Sequence, residues 1–262
     1  MSIRNETKRM LVLAGIPLNE ATGPEEKESM KIGGLGWLRK SKDSNHGGLE
    51  GTLTISGKNL SVKGNMGFAY FKGDNLIIQD KYKFVNVTGN FMVTNSKVTS
   101  LEGAPKTVGD RYWIKNNTKL TSLKGGATKC GDFSLEYCNK ITDLTGAPQT
   151  ATSYRIANCK KLGSLKGLPK STSGDLVIYE TGLSSLVGAP TTINGDFAVI
   201  GNKITSLKGM PKKITGDFTL TRNGKTKFTE EEIREICNIG GKVVCSEIER
   251  VGKDNRFYQG ED

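Results

Sequence analysis

The chain has 262 residues, room for one or two domains, with 33 glycines, only 7% aromatic residues and a formal net charge of +11. No apolar run approaches the ~20 residues of a membrane-spanning helix, and the stretch Met10 to Ala14 is too short for the apolar core of a secretory signal. Five cysteines without CxxC spacing and a single histidine, His46, exclude a zinc constellation.

In chain order, residues 1–18 are expected to hold a short helix over 3–14, with Ile3, Met10, Leu11 and Ala14 near one face, Gly15 closing it and Pro17 preventing continuation. Residues 19–50 are a polar, glycine-rich arm. Its apolar patch of Ile32, Leu35, Trp37 and Leu38 could dock on the first turn of the repeat region. Residues 51–88 alternate weakly (Leu53, Ile55; Leu60, Val62; Phe68, Tyr70; Leu76, Ile78), which predicts irregular strands or degenerate repeats that cap an open end.

Residues 89–227 repeat about every 21 residues. Units open at Gly89-Asn90-Phe91, Gly109-Asp110, Gly131-Asp132-Phe133, Thr152-Ser153-Tyr154, Gly174-Asp175-Leu176, Gly195-Asp196-Phe197 and Gly216-Asp217-Phe218. Between them stands Leu-x-Gly-x-Pro, at Leu101, Leu144, Leu165, Leu186 and Leu207, with a decayed copy at Leu123-Gly125. A fixed period of this length means a solenoid, a stack of units that cannot bury an apolar face alone. Each unit offers one short strand, and seven strands about 4.8 Å apart would make a parallel sheet on the order of 30 Å long. The return arm, short and rich in Gly and Pro, predicts extended or turn-like backbone rather than helix. The glycine before each strand is expected to permit a tight turn that a side chain would obstruct.

After the repeats, residues 228–251 read as a C-terminal cap. Thr229 and Glu232 form a capping box for a helix to about Asn238, with Ile233, Ile236 and Cys237 inward, and Lys242 to Cys245 add a last strand. Residues 252–262 are a tail.

The skeleton Phe197-x-Val199-x-x-Asn202-x-Ile204-x-x-Leu207 resembles the leucine-rich repeat. Counting three residues from the second strand apolar residue gives Asn117, Cys138, Cys159, Thr181, Asn202 and Asn223, the small polar or thiol side chains that the family tolerates at its turn. The resemblance implies a right-handed, β-rich stack in which these side chains point inward and pair backbone groups of neighbouring turns. Two of the five cysteines thereby become turn residues. The leading helix, the Leu-x-Gly-Ala-Pro units and the Phe228-Thr229-Glu230-Glu231-Glu232 segment together look like repeat proteins encoded by tailed bacteriophages. That likeness implies a phage accessory protein, in the cytoplasm of a bacterial host or in the virion.

Solenoids of this type commonly bind with the concave sheet face. The face positions are Met92, Trp113, Ser134, Arg155, Val177, Ala198 and Thr219, and two residues on Thr94, Lys115, Glu136, Ala157, Tyr179, Ile200 and Thr221. Trp113, Arg155 and Tyr179, with Met92, Lys115 and Glu136 beside them, are the partner-binding candidates, because Trp, Tyr and Arg dominate interface energetics. The preceding column, Asp110, Asp132, Asp175, Asp196 and Asp217, could hold a cation between stacked carboxylates. Turn chemistry is the preferred reading, with the side chains accepting backbone hydrogen bonds. No metal site or cofactor is assigned.

Residues 101–228 carry 19 Lys+Arg against 9 Asp+Glu, and 229–262 carry 5 against 9. Lys119, Lys140, Lys161 and Lys203 precede the turn's Leu or Ile, and Lys124, Lys166 and Lys208 follow the next Leu, which predicts a basic stripe. A stripe could hold nucleic acid; repeat duplication of a solubilising lysine is the preferred reading. With no Gly-x-Ser-x-Gly, phosphate loop or paired-histidine motif, catalysis is not expected. The expected function is non-enzymatic binding of a host or virion protein through the sheet face. The alternatives are a virion structural protein held by its N-terminal helix and arm, and nucleic-acid binding along the stripe. A membrane partner is not expected.

Overall fold

A computed structural model describes residues 29–31, 48–77, 83–224 and 227–245. The expected helix over 3–14, most of the arm with its apolar patch and His46, and the 252–262 tail lie outside the described residues.

The strands are β1 (Ser29–Lys31), β2 (Gly48–Ser56), β3 (Asn59–Ala69), β4 (Lys83–Val87), β5 (Phe91–Thr94), β6 (Thr107–Val108), β7 (Tyr112–Lys115), β8 (Asp132–Glu136) and β9 (Ser153–Ala157). Next come β10 (Ser171–Thr172), β11 (Leu176–Tyr179), β12 (Thr192–Ile193), β13 (Phe197–Ile200), β14 (Lys213–Ile214) and β15 (Phe218–Thr221). The helix α1 (Glu230–Ile236) precedes β16 (Asn238–Ile239) and β17 (Val243–Val244). The chain is a parallel β-solenoid whose main sheet runs β3-β5-β7-β8-β9-β11-β13-β15-β17, nine parallel strands rather than seven. Eight steps of about 4.8 Å make the stack roughly 38 Å long.

The two extra strands come from segments where the 21-residue period is interrupted. At the start, β2 and β3 form an antiparallel hairpin with Ser56 opposite Asn59. The first half of β3 pairs with β4, and its second half, Met66–Ala69, pairs with β5. Gly51 and Gly64 face each other in this hairpin at φ 138° and 127°, where a Cβ on either would overlap the opposite backbone carbonyl. At the other end α1 lies inside the last turn, and β17 pairs in parallel with β15.

The Thr229–Glu232 capping box forms as expected. Ile233 and Cys237 are buried, but Ile236 is 48% exposed, which corrects its expected inward position. The seven-residue helix reaches the core only through the i, i+4 pair. At 100° per residue, Ile236 stands about 80° from the middle of that stripe.

Inside the stack β5, β7, β8, β9, β11, β13 and β15 each bury an alternating apolar pair, and the first of the pair is aromatic in all but β11, where Leu176 interrupts the ladder. Phe91, Tyr112, Phe133 and Tyr154 succeed one another with ring centroids 5.7, 5.7 and 6.2 Å apart, and Phe197 and Phe218 are 5.4 Å apart. The return side is extended, as expected. Two-residue strands β10, β12, β14 and β16 make a second parallel sheet, and the bridges Thr107↔Lys129↔Thr150 continue its path.

Leu-x-Gly-x-Pro closes each turn by donation from the fourth residue's N–H to the leucine carbonyl, for example Ala189 to Leu186 at 3.0 Å and Met210 to Leu207 at 2.9 Å. The glycine takes the φ > 0 position, +89° at Gly188 and +88° at Gly209. The prolines are buried, which strands no donor because they have none. At the decayed copy the fourth residue is Gly126. Tyr112 is longer than the phenylalanines of its ladder, and a Cβ at Gly126 would come within 2.8 Å of its hydroxyl.

Gly209→Ala must strain both the turn and the Leu186 carbonyl below it. We expect a loss of about 2 kcal/mol or more by urea unfolding. Gly163→Ala, with open space at its Cβ, is expected to change stability by less than about 1 kcal/mol. Equal effects would contradict this packing.

Candidate functional site

The corner after each strand sets the positions of all surface columns. Its first residue takes the left-handed conformation in every unit: Asn95, Asn116, Tyr137, Asn158, Glu180 and Arg222 at φ 48–55°, and Gly201 at 70°. The next residue is the expected turn column, Asn117, Cys138, Cys159, Thr181, Asn202 and Asn223, and all are buried.

The Asn and Cys side chains share one pattern along the column, while Thr181 Oγ1 donates to Asn202 Oδ1 on the next turn at 2.6 Å. Asn202 Oδ1 accepts the Thr181 N–H at 3.0 Å, and Asn223 Oδ1 accepts the Asn202 N–H at 3.2 Å. Asn223 Nδ2 donates to Thr221 O in its own strand at 2.7 Å and to Val199 O in the preceding one at 2.9 Å. Cys159 Sγ repeats this towards Ala157 O at 3.4 Å and Leu135 O at 3.8 Å. Ser96 is a further member, and its N–H donates to Asn117 Oδ1 at 2.9 Å. The same count of three from Val93 reaches it.

The Gly-Asp column is a second ladder. Asp175, Asp196 and Asp217 each accept, through Oδ1, the N–H of the equivalent residue one turn on (Asp196, Asp217 and Lys242), at 2.8 Å in each case. Turn chemistry is therefore right in kind, but the donor lies on the next turn. The glycine's role changes with it. A Cβ at Gly216 would strike the Asp196 carboxylate and the backbone beneath, so the glycine serves close approach between turns. A third column was missed by sequence reasoning. Ser122, Asp143, Ser164 and Ser206 each accept the N–H two residues on, at 3.1, 2.8, 3.1 and 3.1 Å. Its signal is the Ser or Asp before each Leu of Leu-x-Gly.

The sheet face turned away from the core carries both expected columns in register, Met92↔Trp113↔Ser134↔Arg155↔Val177↔Ala198↔Thr219 and Thr94↔Lys115↔Glu136↔Ala157↔Tyr179↔Ile200↔Thr221. Trp113, Arg155, Tyr179, Met92, Lys115 and Glu136 are all partly exposed. Ser134, Ala198, Thr94, Ala157, Ile200 and Thr221 are buried, against the expectation for outward positions. Short side chains sink between longer register neighbours, as Ala157 does between Glu136 and Tyr179.

The long polar groups concentrate on β7, β8 and β9. Lys115 Nζ lies 4.9 Å and Arg111 Cζ 5.9 Å from the Trp113 ring centroid, each contact worth roughly 0.5–1 kcal/mol. Arg111, one register position before Trp113 on this face, was not among the sequence candidates. Trp113 Nε1 is buried, with no hydrogen-bond acceptor among the described residues. Glu136 pairs with Arg155 at 3.5 Å and accepts from Ser134 Oγ at 2.9 Å. At the rim Glu180 meets Lys160 at 3.2 Å and Arg222 at 3.5 Å. The Tyr179 hydroxyl, followed by these cations, holds the Glu180 carboxyl below the usual range. Gly201, between Glu180 and Arg222 in the corner column, leaves the path open.

The lysine rows lie on a different flank. Lys119, Lys140, Lys161, Lys203, Lys124, Lys166 and Lys208 are all exposed. Burial pushes the thiols of Cys130 and Cys138 up to about 12 and that of Cys159 to about 11, so none is a thiolate at neutral pH. Among the described residues no group of three or more His, Cys, Asp or Glu could hold a metal, and no helix is long and apolar enough to cross a membrane.

Reaction with Ellman's reagent at pH 8 checks this assignment. Cys245, partly exposed, should react quickly, and the four buried thiols only on unfolding. Fast native reaction of two or more thiols would contradict a structural role for the column cysteines. No protein-family model matches this chain, and neither a curated protein nor a solved structure matches it.

Proposed function

We propose that this protein is a non-enzymatic, leucine-rich-repeat-like binding module, made by a tailed phage, that holds a host or virion protein against the sheet face over β7, β8 and β9. The observation that carries the reading is Trp113. The aromatic ladder and the turn columns complete the stack without it, yet a partly exposed indole stands on the face turned away from the core, between two cations. A partner segment laid over the exposed part of the indole would bury apolar area between the two cations.

Arg155 and Tyr179 extend the patch by two and three strands, and such Trp, Tyr and Arg clusters supply most of the energy of protein interfaces. The column cysteines are buried and the Asp and Ser columns bond backbone N–H groups, uses that support reading the stack as a scaffold.

The test is affinity capture from host lysate and from purified particles. Trp113→Ala with Arg155→Ala should abolish capture of a specific protein while leaving the melting temperature within a few degrees. Unchanged capture by the double variant would rule out this face. Retention of the protein in purified particles would separate a virion component from a host-directed one.

A further inference from the structure

The flank that carries the lysines is organised by the same stacking as the sheet. Lys119, Lys140, Lys161 and Lys203 each precede a fully buried residue (Leu120, Ile141, Leu162 and Ile204), and Lys97 before Val98 joins their row. Among the described residues, Gly182 before Leu183 interrupts the row, and Gly224 takes the equivalent place after Asn223. The backbone bonds Thr121 N–H to Thr99 O at 3.0 Å and Thr205 N–H to Ser184 O at 2.9 Å stack these corners directly. The row therefore spans five steps of about 4.8 Å, roughly 24 Å.

A second row runs beside it. Lys124, Lys166 and Lys208 accept backbone bonds from Leu101, Leu144 and Leu186 of the preceding turn at 3.1, 2.8 and 3.0 Å, so they share one column with Thr145 and Val187 between them. Five residues of chain separate the rows, at most about 17 Å. The strip between presents exposed hydroxyl residues Thr99, Thr121, Thr142, Ser184 and Thr205 and no aromatic side chain.

Charge on this flank is handled differently from charge on the sheet. On the sheet and its rim, Arg155, Lys160 and Arg222 meet carboxylates. Among the described residues no ion pair reaches any of the eight flank lysines. Nearby acids are few: Asp143 accepts the Thr145 N–H, and Glu102 and Asp74 sit at the first turns. In-register like charges repel, by about 0.8 kcal/mol per pair at 5 Å even in water. Repeat duplication would also place a solubilising lysine in register, at this repulsive cost; a ligand with regular negative charge turns the same row into a favourable contact.

We propose that this flank binds the phosphate backbone of duplex nucleic acid along the solenoid axis, without reading bases. Lysine is a compact, mobile point charge suited to phosphate, and the hydroxyls add donors. A duplex presents one charge per about 1.7 Å of axis, ample for eight lysines over the strip. The missing aromatics disfavour single strands, which are held by base stacking. The site is separate from the Trp113 face, and its test does not depend on that reading.

The test is fluorescence anisotropy with a labelled DNA duplex of about two helical turns, its RNA counterpart and the single strand, at about 50 mM salt. Lys119→Glu, Lys140→Glu and Lys161→Glu together should weaken duplex binding at least about tenfold, and the three Arg substitutions should keep it. The three Ala substitutions should reduce the slope of log affinity against log salt by about 2–3. Lys170→Glu, Lys212→Glu and Lys213→Glu change net charge equally from the other side, and should cost less than about threefold. Circular dichroism confirms that each variant folds. No duplex binding at low salt, equal loss in the two Glu triples, or tighter binding of the single strand would overturn the proposal. So would displacement of the duplex by polyglutamate at equal charge.

Discussion

A solenoid corner buries backbone groups that have no strand partner, and an unpaired buried N–H or carbonyl costs about 1–3 kcal/mol. The rest of this molecule depends on how that cost is removed. After each strand one residue turns left-handed, and the next, Asn, Thr, Ser or Cys, points inward. An Asn there accepts from the preceding turn and donates to carbonyls of its own and the preceding strand, as Asn223 does. The ladder fixes the stacking of one turn on the next. Strand register, the aromatic ladder and the second sheet result from that stacking.

Strict stacking makes every surface position a column, so chemistry appears in rows. Some rows complete the scaffold: the Asp ladder, the Ser and Asp residues before each Leu-x-Gly, and the glycines that admit the neighbouring turn. Rows that pair no backbone group, or that change from turn to turn, are where recognition can reside. The exposed lysine rows are of the first sort, and the change from Trp113 and Arg155 to Ala198 and Thr219 along one sheet column is of the second. A rigid sheet is also a favourable place for such groups, since little order is left to impose on binding.

Much of this was legible in the residues. The turn column could be counted from the strand apolar pairs because burial at the corner restricts its chemistry to a few small side chains. The face columns could be read from the two-residue period of a strand. What escaped depended on contacts between turns. Asp196 reads as a local turn residue, yet its partner is the N–H of Asp217, 21 positions on. The end strands were expected, within 51–88 and at Lys242 to Cys245, but not their place in the main sheet, because β3 pairs with β4 along its first half and β5 along its second, and α1 interrupts the final unit. Ile236 was misplaced because a two-turn helix shows the core only a narrow stripe. The burial of Ala157 and Ile200 depends on the length of their register neighbours, which alternation alone does not reveal.

Urea unfolding of Asn202→Ala tests the corner ladder most directly. The substitution removes the acceptor for the Thr181 N–H and the donor to Ile178 O and Ile200 O. The account predicts a loss of about 3 kcal/mol or more, against less than about 0.5 kcal/mol for Lys203→Ala beside it. A loss below about 0.5 kcal/mol for Asn202→Ala would show that the turns are held by something other than this ladder.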